Sequence, residues 1–134
     1  AAQHPFAVGL VAPYLHVYDG LTARENLAFV LRARGAKAEG ARVAEALAFV
    51  GLAGREDDRV GAFSSGMKQR VKYAAAYLVA PPLLLLDEPS ANLDEAGKAL
   101  VGQMRAWQTA RGGVLVVATN EAADVEPGDA VVTL

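Results

Sequence analysis

The sequence contains no cysteine, which excludes a disulfide framework and any thiolate-held metal and is compatible with a reducing compartment. No apolar run approaches the roughly 18 residues of a membrane span, and no signal peptide precedes the first expected strand, so the chain is expected to be soluble by itself. Charge of either sign is not in excess: 13 Lys and Arg stand against 15 Asp and Glu, for a formal net charge of −2. That balance argues against a dedicated nucleic-acid surface. There is no internal repeat and no low-complexity tract. What is present, 53% hydrophobic and 21% charged residues over 134 positions, suffices for one compact domain and excludes disorder as the default.

The informative stretch runs from Phe63 to Asp94, FSSGMKQRVKYAAAYLVAPPLLLLDEPSANLD. Ser64, Ser65 and Gly66 open a helix whose apolar positions Val71, Ala74, Ala75 and Leu78 fall at i, i+3, i+4 and i+7. Hydroxyls, free amides and the positive end of the helix dipole together make that start an anion site. Pro81 and Pro82 end the helix, because proline lacks the amide and clashes with the preceding turn. Leu83 to Leu86 then reads as a strand buried on both faces. It delivers Asp87 and Glu88 at its C-terminal end, where open α/β sheets bind ligands. A carboxylate taken out of water costs several kcal/mol unless compensated, which implies a metal or a shifted pKa. Asp87 suits Mg²⁺, held directly or through water, and Glu88 suits a general base aimed at an attacking water.

Around this stretch the chain alternates elements. A short strand is expected with Val8, Leu10 and Val11 as its apolar core. Thr22 to Glu25 forms a capping box for a helix that carries Leu27, Val30 and Leu31 on one face and stops at Gly35. A second helix, about residues 41–50, buries Val43, Leu47 and Val50 and stops at Gly51. The triplet Glu56-Asp57-Asp58, set between Arg55 and Arg59, reads as a solvated turn and not a metal site. After Asp94 a helix runs to about Thr109 with Ala96, Leu100, Met104 and Trp107 on one stripe, Trp107 as core. Gly112-Gly113 leads into a strand over Val114 to Ala118, followed by Thr119-Asn120-Glu121, and a last strand is expected over Ala130 to Leu134.

Three segments in this order, SSGMKQR, LLLLDEP and ANLD, resemble the signature motif, Walker B motif and D-loop of an ABC-type ATPase. APYLHVYDGLTARENLAF resembles that family's Q-loop and the segment after it, through Tyr18-Asp19, Leu21-Thr22 and Glu25-Asn26-Leu27. The loop glutamine is missing: Pro13 takes its place, and His16 is the nearest polar residue. Met67 stands where the signature usually ends in glutamine, and Asn120 where relatives carry the switch histidine. No Gly-Lys-Ser/Thr phosphate loop occurs, so the chain is expected to be the C-terminal portion of a longer ATPase.

The resemblance implies an α/β fold of the P-loop NTPase, ABC type: a mainly parallel sheet with an α-helical subdomain. Residues 1–20 would form a core strand and Q-loop-like segment, 21–80 the helical subdomain with the signature, and 81–134 the core segment with Walker B, D-loop and switch region. It implies an ATP-hydrolysing subunit that powers a transmembrane permease as a homo- or heterodimer, with ATP and Mg²⁺ as cofactors. Its expected place is cytoplasmic, peripheral on the inner face of the cell membrane, with no nucleic-acid partner. Ser64, Ser65 and Gly66 would grip the γ-phosphate in trans, Asp87 would support Mg²⁺, Glu88 would polarise water, and Asp94 would monitor the opposite phosphate loop. Asn120 can hydrogen-bond a γ-phosphate oxygen but cannot carry a proton near neutral pH. A soluble ABC ATPase without a permease and a degenerate regulatory subunit are the alternatives. The brief interval from Pro13 to Ser64 is most like the small exporter-type ATPases, including the haem-exporter and multidrug groups.

Overall fold

The computed structural model describes residues 8–37, 39–90 and 93–134. Strand β1 (Val8–Val11) leads to helices α1 (Ala23–Ala33) and α2 (Gly40–Phe49), a 3₁₀ turn (Val60–Ala62) and helix α3 (Ser65–Val79). Strand β2 (Leu83–Asp87), helix α4 (Glu95–Ala110), strand β3 (Val114–Ala118) and a second 3₁₀ turn (Ala122–Asp124) follow. The sheet order is β1-β2-β3 and both pairings are parallel, with Leu10 opposite Leu85 and Leu85 opposite Val116. Parallel neighbours require crossovers, which α1–α3 supply between β1 and β2 and α4 between β2 and β3.

Local signals set the helix boundaries. Thr22 accepts from the Glu25 amide at 3.1 Å while the Glu25 carboxylate accepts from the Thr22 amide at 2.8 Å, closing the capping box. Gly35 and Gly51 have φ of 74° and 80°, the left-handed conformation that ends α1 and α2 without a Cβ penalty. The solvated reading of Glu56 to Asp58 agrees with their exchange of surface ion pairs, Arg24–Asp57 at 3.0 Å and Arg55–Asp58 at 3.1 Å.

Several expectations need correction. The helices cover only one face of the sheet, so strand positions alternate: Gly9, Val11, Leu84 and Leu86 are buried while Leu83 and Leu85 are half-buried. Val8, Leu10, Val114 and Val116 are exposed, so β1 contributes Gly9 and Val11 to the interior instead of Val8 and Leu10. At Gly9 an added Cβ would lie 2.6 Å from the Pro81 ring, so β1 packs directly on the start of β2. On α4 the buried stripe is Gly97, Leu100, Val101, Met104 and Gln108; Ala96 is exposed and Trp107 half-buried. Trp107 packs against the margin of the core, in a partly buried ring cluster with Tyr77 and Phe49, and the Arg111 guanidinium lies 4.9 Å from its ring. Residues 130–134 form no strand, and Val131, Val132 and Leu134 are exposed. Their apolar pattern has no ladder to join among the described residues. No described helix is long and apolar enough to cross a membrane.

Candidate functional site

The chemistry-bearing residues fall into three groups, each placed by a helix start or a strand end. The first sits beyond β2. Glu88 continues past the strand with φ 46°, a left-handed conformation that costs a non-glycine residue roughly 1–3 kcal/mol. Its amide donates to Ala118 O at 2.7 Å, anchoring it to the end of β3. The twist presents the Glu88 carboxylate to Asn120, whose amide donates to Oε1 at 3.1 Å and whose Nδ2 donates to the same oxygen at 2.9 Å. Glu88 and Asn120, 32 positions apart, thus form one hydrogen-bonded pair. Asp87 pairs with Ala118 in the ladder immediately before. Burial was expected to force compensation here, yet Asp87 and Glu88 are only half-buried and water can meet part of their solvation. Among the described residues no group of three metal-ligating side chains exists. Asp87 alone fits Mg²⁺ only in the manner usual for that ion, as one carboxylate beside waters and substrate phosphates.

The second group surrounds a cleft of about 300 Å³ between the starts of α3 and α4. Ser64 caps α3, its Oγ accepting from the Met67 amide at 3.2 Å, which leaves its hydroxyl proton and the amides of Ser65 and Gly66 to face an anion. No acidic residue lies in this first turn. Asp94 caps α4 by accepting from the Gly97 amide at 2.8 Å, a helix-initiating duty that the sequence reading had not assigned to it. Ser64, Ser65, Gly66 and Asp94 all line this cleft. Tyr73 lines it as well, with its hydroxyl buried. Burial pushes that hydroxyl well above the ordinary tyrosine range. Of the ANLD segment, Ala91 and Asn92 lie outside the described residues.

The third group is the loop after β1. Pro13 and His16 are exposed. In front of the loop stands α3: Lys72 Nζ lies 3.4 Å from Ala12 O and 3.5 Å from Pro13 O. Partial burial lowers the Lys72 ammonium below the ordinary lysine range. Lys68 Nζ reaches Asp19 at 3.0 Å, a second tie between α3 and this segment. Buried Asn26 closes the loop, accepting from the Tyr18 amide at 2.8 Å and donating to Tyr18 O and Thr22 O at 3.0 Å. His16 lines a largely apolar groove of about 220 Å³ with Leu10, Leu15, Val30 and Lys72. Lys72 and Asn26 escaped the sequence reading as site residues. Their partners are backbone carbonyls and amides, which no motif displays.

These arrangements can be set beside known proteins. A profile of the family described as "ABC transporter" matches residues 2–91. The chain is 42% identical over 101 residues to the cytochrome c biogenesis ATP-binding export protein CcmA of Salmonella typhi, covering 75% of this chain and 47% of that protein. It is 38% identical over 101 residues to the Vibrio cholerae protein of the same name, covering 75% and 49%. The chain therefore spans about half the length of the curated relatives it matches. Among solved structures, the dimeric post-hydrolysis state of the ATP-binding cassette MJ0796, bound to ADP and Pi, superposes with a TM-score of 0.75 at 28% identity. That match covers 87% of this chain and 53% of the other. An ATP-binding subunit of an ABC transporter gives 0.74, also at 28% identity, over 88% of this chain and 50% of the other. The shared parallel α/β architecture and the profile match over two thirds of the sequence lead to one assignment: the chain belongs to the ABC transporter family.

Proposed function

We propose that this chain supplies the hydrolytic carboxylate and the signature face of an ATP-hydrolysing ABC transporter subunit. The observation that carries the proposal is the Glu88–Asn120 pair at the C-terminal ends of β2 and β3, held by two donors from one residue. Glu88 accepts the proton of an attacking water, and Asn120 fixes the carboxylate for it while its side-chain oxygen stays available to that water. Asp87 would hold Mg²⁺ beside the phosphates, where the ion neutralises charge on the transferring group when bound. Ser64, Ser65 and Gly66 offer donors to the γ-phosphate of a nucleotide held by a second subunit, with Asp94 beside them across the cleft. The dimeric MJ0796 cassette supports that two-subunit reading.

In this reading residues 1–20 and 81–134 belong to the catalytic core and 21–80 to a helical subdomain. A permease docks near the Pro13–His16 loop, where Tyr14, Leu15, Tyr18 and Phe29 are exposed large apolar side chains and Leu15 and Tyr18 line the groove. The subunit then lies on the cytoplasmic face of the cell membrane. The relatives' printed role as ATP-binding export proteins favours an exporter.

The test is steady-state ATP hydrolysis by the full-length subunit. Glu88→Gln keeps the side chain's shape but removes the base, so turnover falls by roughly 10²–10⁴-fold while ATP still binds. Near wild-type turnover in Glu88→Gln would overturn the assignment. One observation favours a second reading, a subunit that binds ATP and hydrolyses it poorly: Asn120 occupies the switch position and has no proton to relay.

A further inference from the structure

Behind the Glu88–Asn120 pair lies a side chain that none of the motifs contains. Asp124 ends the 3₁₀ turn after β3 and is 7% exposed. Its Oδ1 accepts the hydroxyl of Ser90, and its Oδ2 accepts the hydroxyl of Thr119 at 2.6 Å. Ser90 lies two residues after Glu88, and Thr119 one residue before Asn120. One carboxylate therefore spans the two loops that carry the pair, while the pair itself closes them from the other end. The Thr119 hydroxyl is fixed in direction, since its oxygen accepts from the Glu121 amide at 2.9 Å while its proton goes to Asp124. From α4, Arg105 holds the turn in place. Its guanidinium donates to Asp124 O at 2.6 Å and pairs with Glu126 at 3.3 Å and Asp129 at 3.1 Å.

We propose that Asp124 is a positioning residue for hydrolysis, setting the distance and orientation of Glu88 relative to Asn120 through Ser90 and Thr119. The proposal rests on the reading of Glu88 as the base. Burying a carboxylate against two neutral hydroxyls, with no cation bonded to it among the described residues, is costly, and an apolar turn would be easier to fold. What the carboxylate adds is rigidity at the place where backbone strain must be held, because a left-handed Glu88 persists only when its surroundings over-determine it. A base must sit within a few tenths of an ångström of its working position, and a 1 Å misplacement costs on the order of 10²-fold in rate.

The experiment measures kcat and KM for ATP in the full-length subunit for Asp124→Asn, Thr119→Val and the Glu88→Gln reference. Asp124→Asn keeps the shape but replaces an acceptor with an amide that opposes a donor hydroxyl. Its kcat should drop on the order of 10²-fold, with KM unchanged within about twofold. Thr119→Val removes one hydroxyl without touching the carboxylate and should lower kcat about tenfold, again without moving KM. Combining the two should cost no more than Asp124→Asn alone, since both open the same bracket. Wild-type kcat in either single variant overturns the proposal, and so does a loss confined to KM. If Asp124→Asn does not fold, Thr119→Val decides on the same criteria. Wild-type turnover in Glu88→Gln removes the base assignment and this proposal together; wild-type turnover in Asp124→Asn with an impaired Glu88→Gln removes this proposal alone.

Discussion

At the scale of single residues, the site is built from side chains whose hydrogen-bond partners lie far away in sequence. Asn120 is the sharpest case. A histidine in its place could donate through one ring nitrogen and also carry charge, whereas asparagine donates without charge. The structure spends both the Asn120 amide and Nδ2 on Glu88. Asn120→Ala leaves the backbone donor and deletes the side-chain one, so the full-length subunit should lose about 1–3 kcal/mol of barrier lowering, read as kcat/KM in steady-state hydrolysis. Asn120→His should keep or raise activity. Equal rates in all three forms would show that position 120 does not act on the base, and an inactive parent rescued by histidine would establish the weakly hydrolysing reading. In the sequence Glu88 and Asn120 are separate candidates, Glu88 as the second carboxylate after an apolar strand and Asn120 through the place of the switch histidine in the family it resembles. The sequence could not show that they touch, since that depends on the parallel register of β2 against β3.

At the scale of elements, what was legible was whatever is encoded within a few residues. The Thr22–Glu25 capping box, the Ser64 start of α3 and the glycine stops of α1 and α2 all follow from interactions three to five positions long. The stripe of α4 was misread because its inward face includes a glutamine. Gln108 is fully buried, and its Nε2 donates to Pro81 O at 3.0 Å, Pro82 O at 3.2 Å and Val114 O at 3.1 Å. Its Oε1 accepts from Arg111 at 2.8 Å. This one side chain ties the end of α4 to the beginnings of β2 and β3, adding a shared donor to carbonyls of which Pro82 O also accepts from the Val114 amide and Pro81 O from Arg111. A hydropathy pattern scores such a position as surface. Gln108→Leu should therefore destabilise although it raises hydrophobicity: it deletes the Nε2 donor and strips the Arg111 guanidinium, which also donates to Pro81 O at 3.0 Å, of its Oε1 acceptor, a loss of about 1–3 kcal/mol offset in part by the added apolar burial. A drop in urea midpoint at unchanged m-value would bear this out, and a Leu variant as stable as the parent would show that water takes over from the glutamine.

At the scale of the whole molecule, the sheet and the nucleotide chemistry are asymmetric in the same way. Helices cover one face of the sheet, and the other exposes Val8, Leu10, Val114 and Val116. The sites proposed for that chemistry likewise comprise a candidate base, one carboxylate suited to a metal and a capped helix start, with no cradle for a triphosphate among the described residues. Binding Mg-ATP requires many converging amides and a lysine around the phosphates, which the Gly-Lys-Ser/Thr motif supplies and this sequence lacks. The start of α3 provides only one turn of free amides, and Lys68 and Lys72 are turned to Asp19 and to the carbonyls of Ala12 and Pro13. Asp87, Glu88 and Asp94 add negative charge where an anion would have to settle. Mg-ATP titrated calorimetrically into the isolated 134-residue chain should therefore show no binding tighter than about millimolar, some 4 kcal/mol of free energy at most. The full-length subunit should bind at least tenfold more tightly under the same conditions. A micromolar constant in the isolated chain, abolished by Ser64→Ala or Ser65→Ala, would instead place the dominant phosphate contacts on the α3 turn of this same chain, and the two-subunit reading of the site would have to be given up.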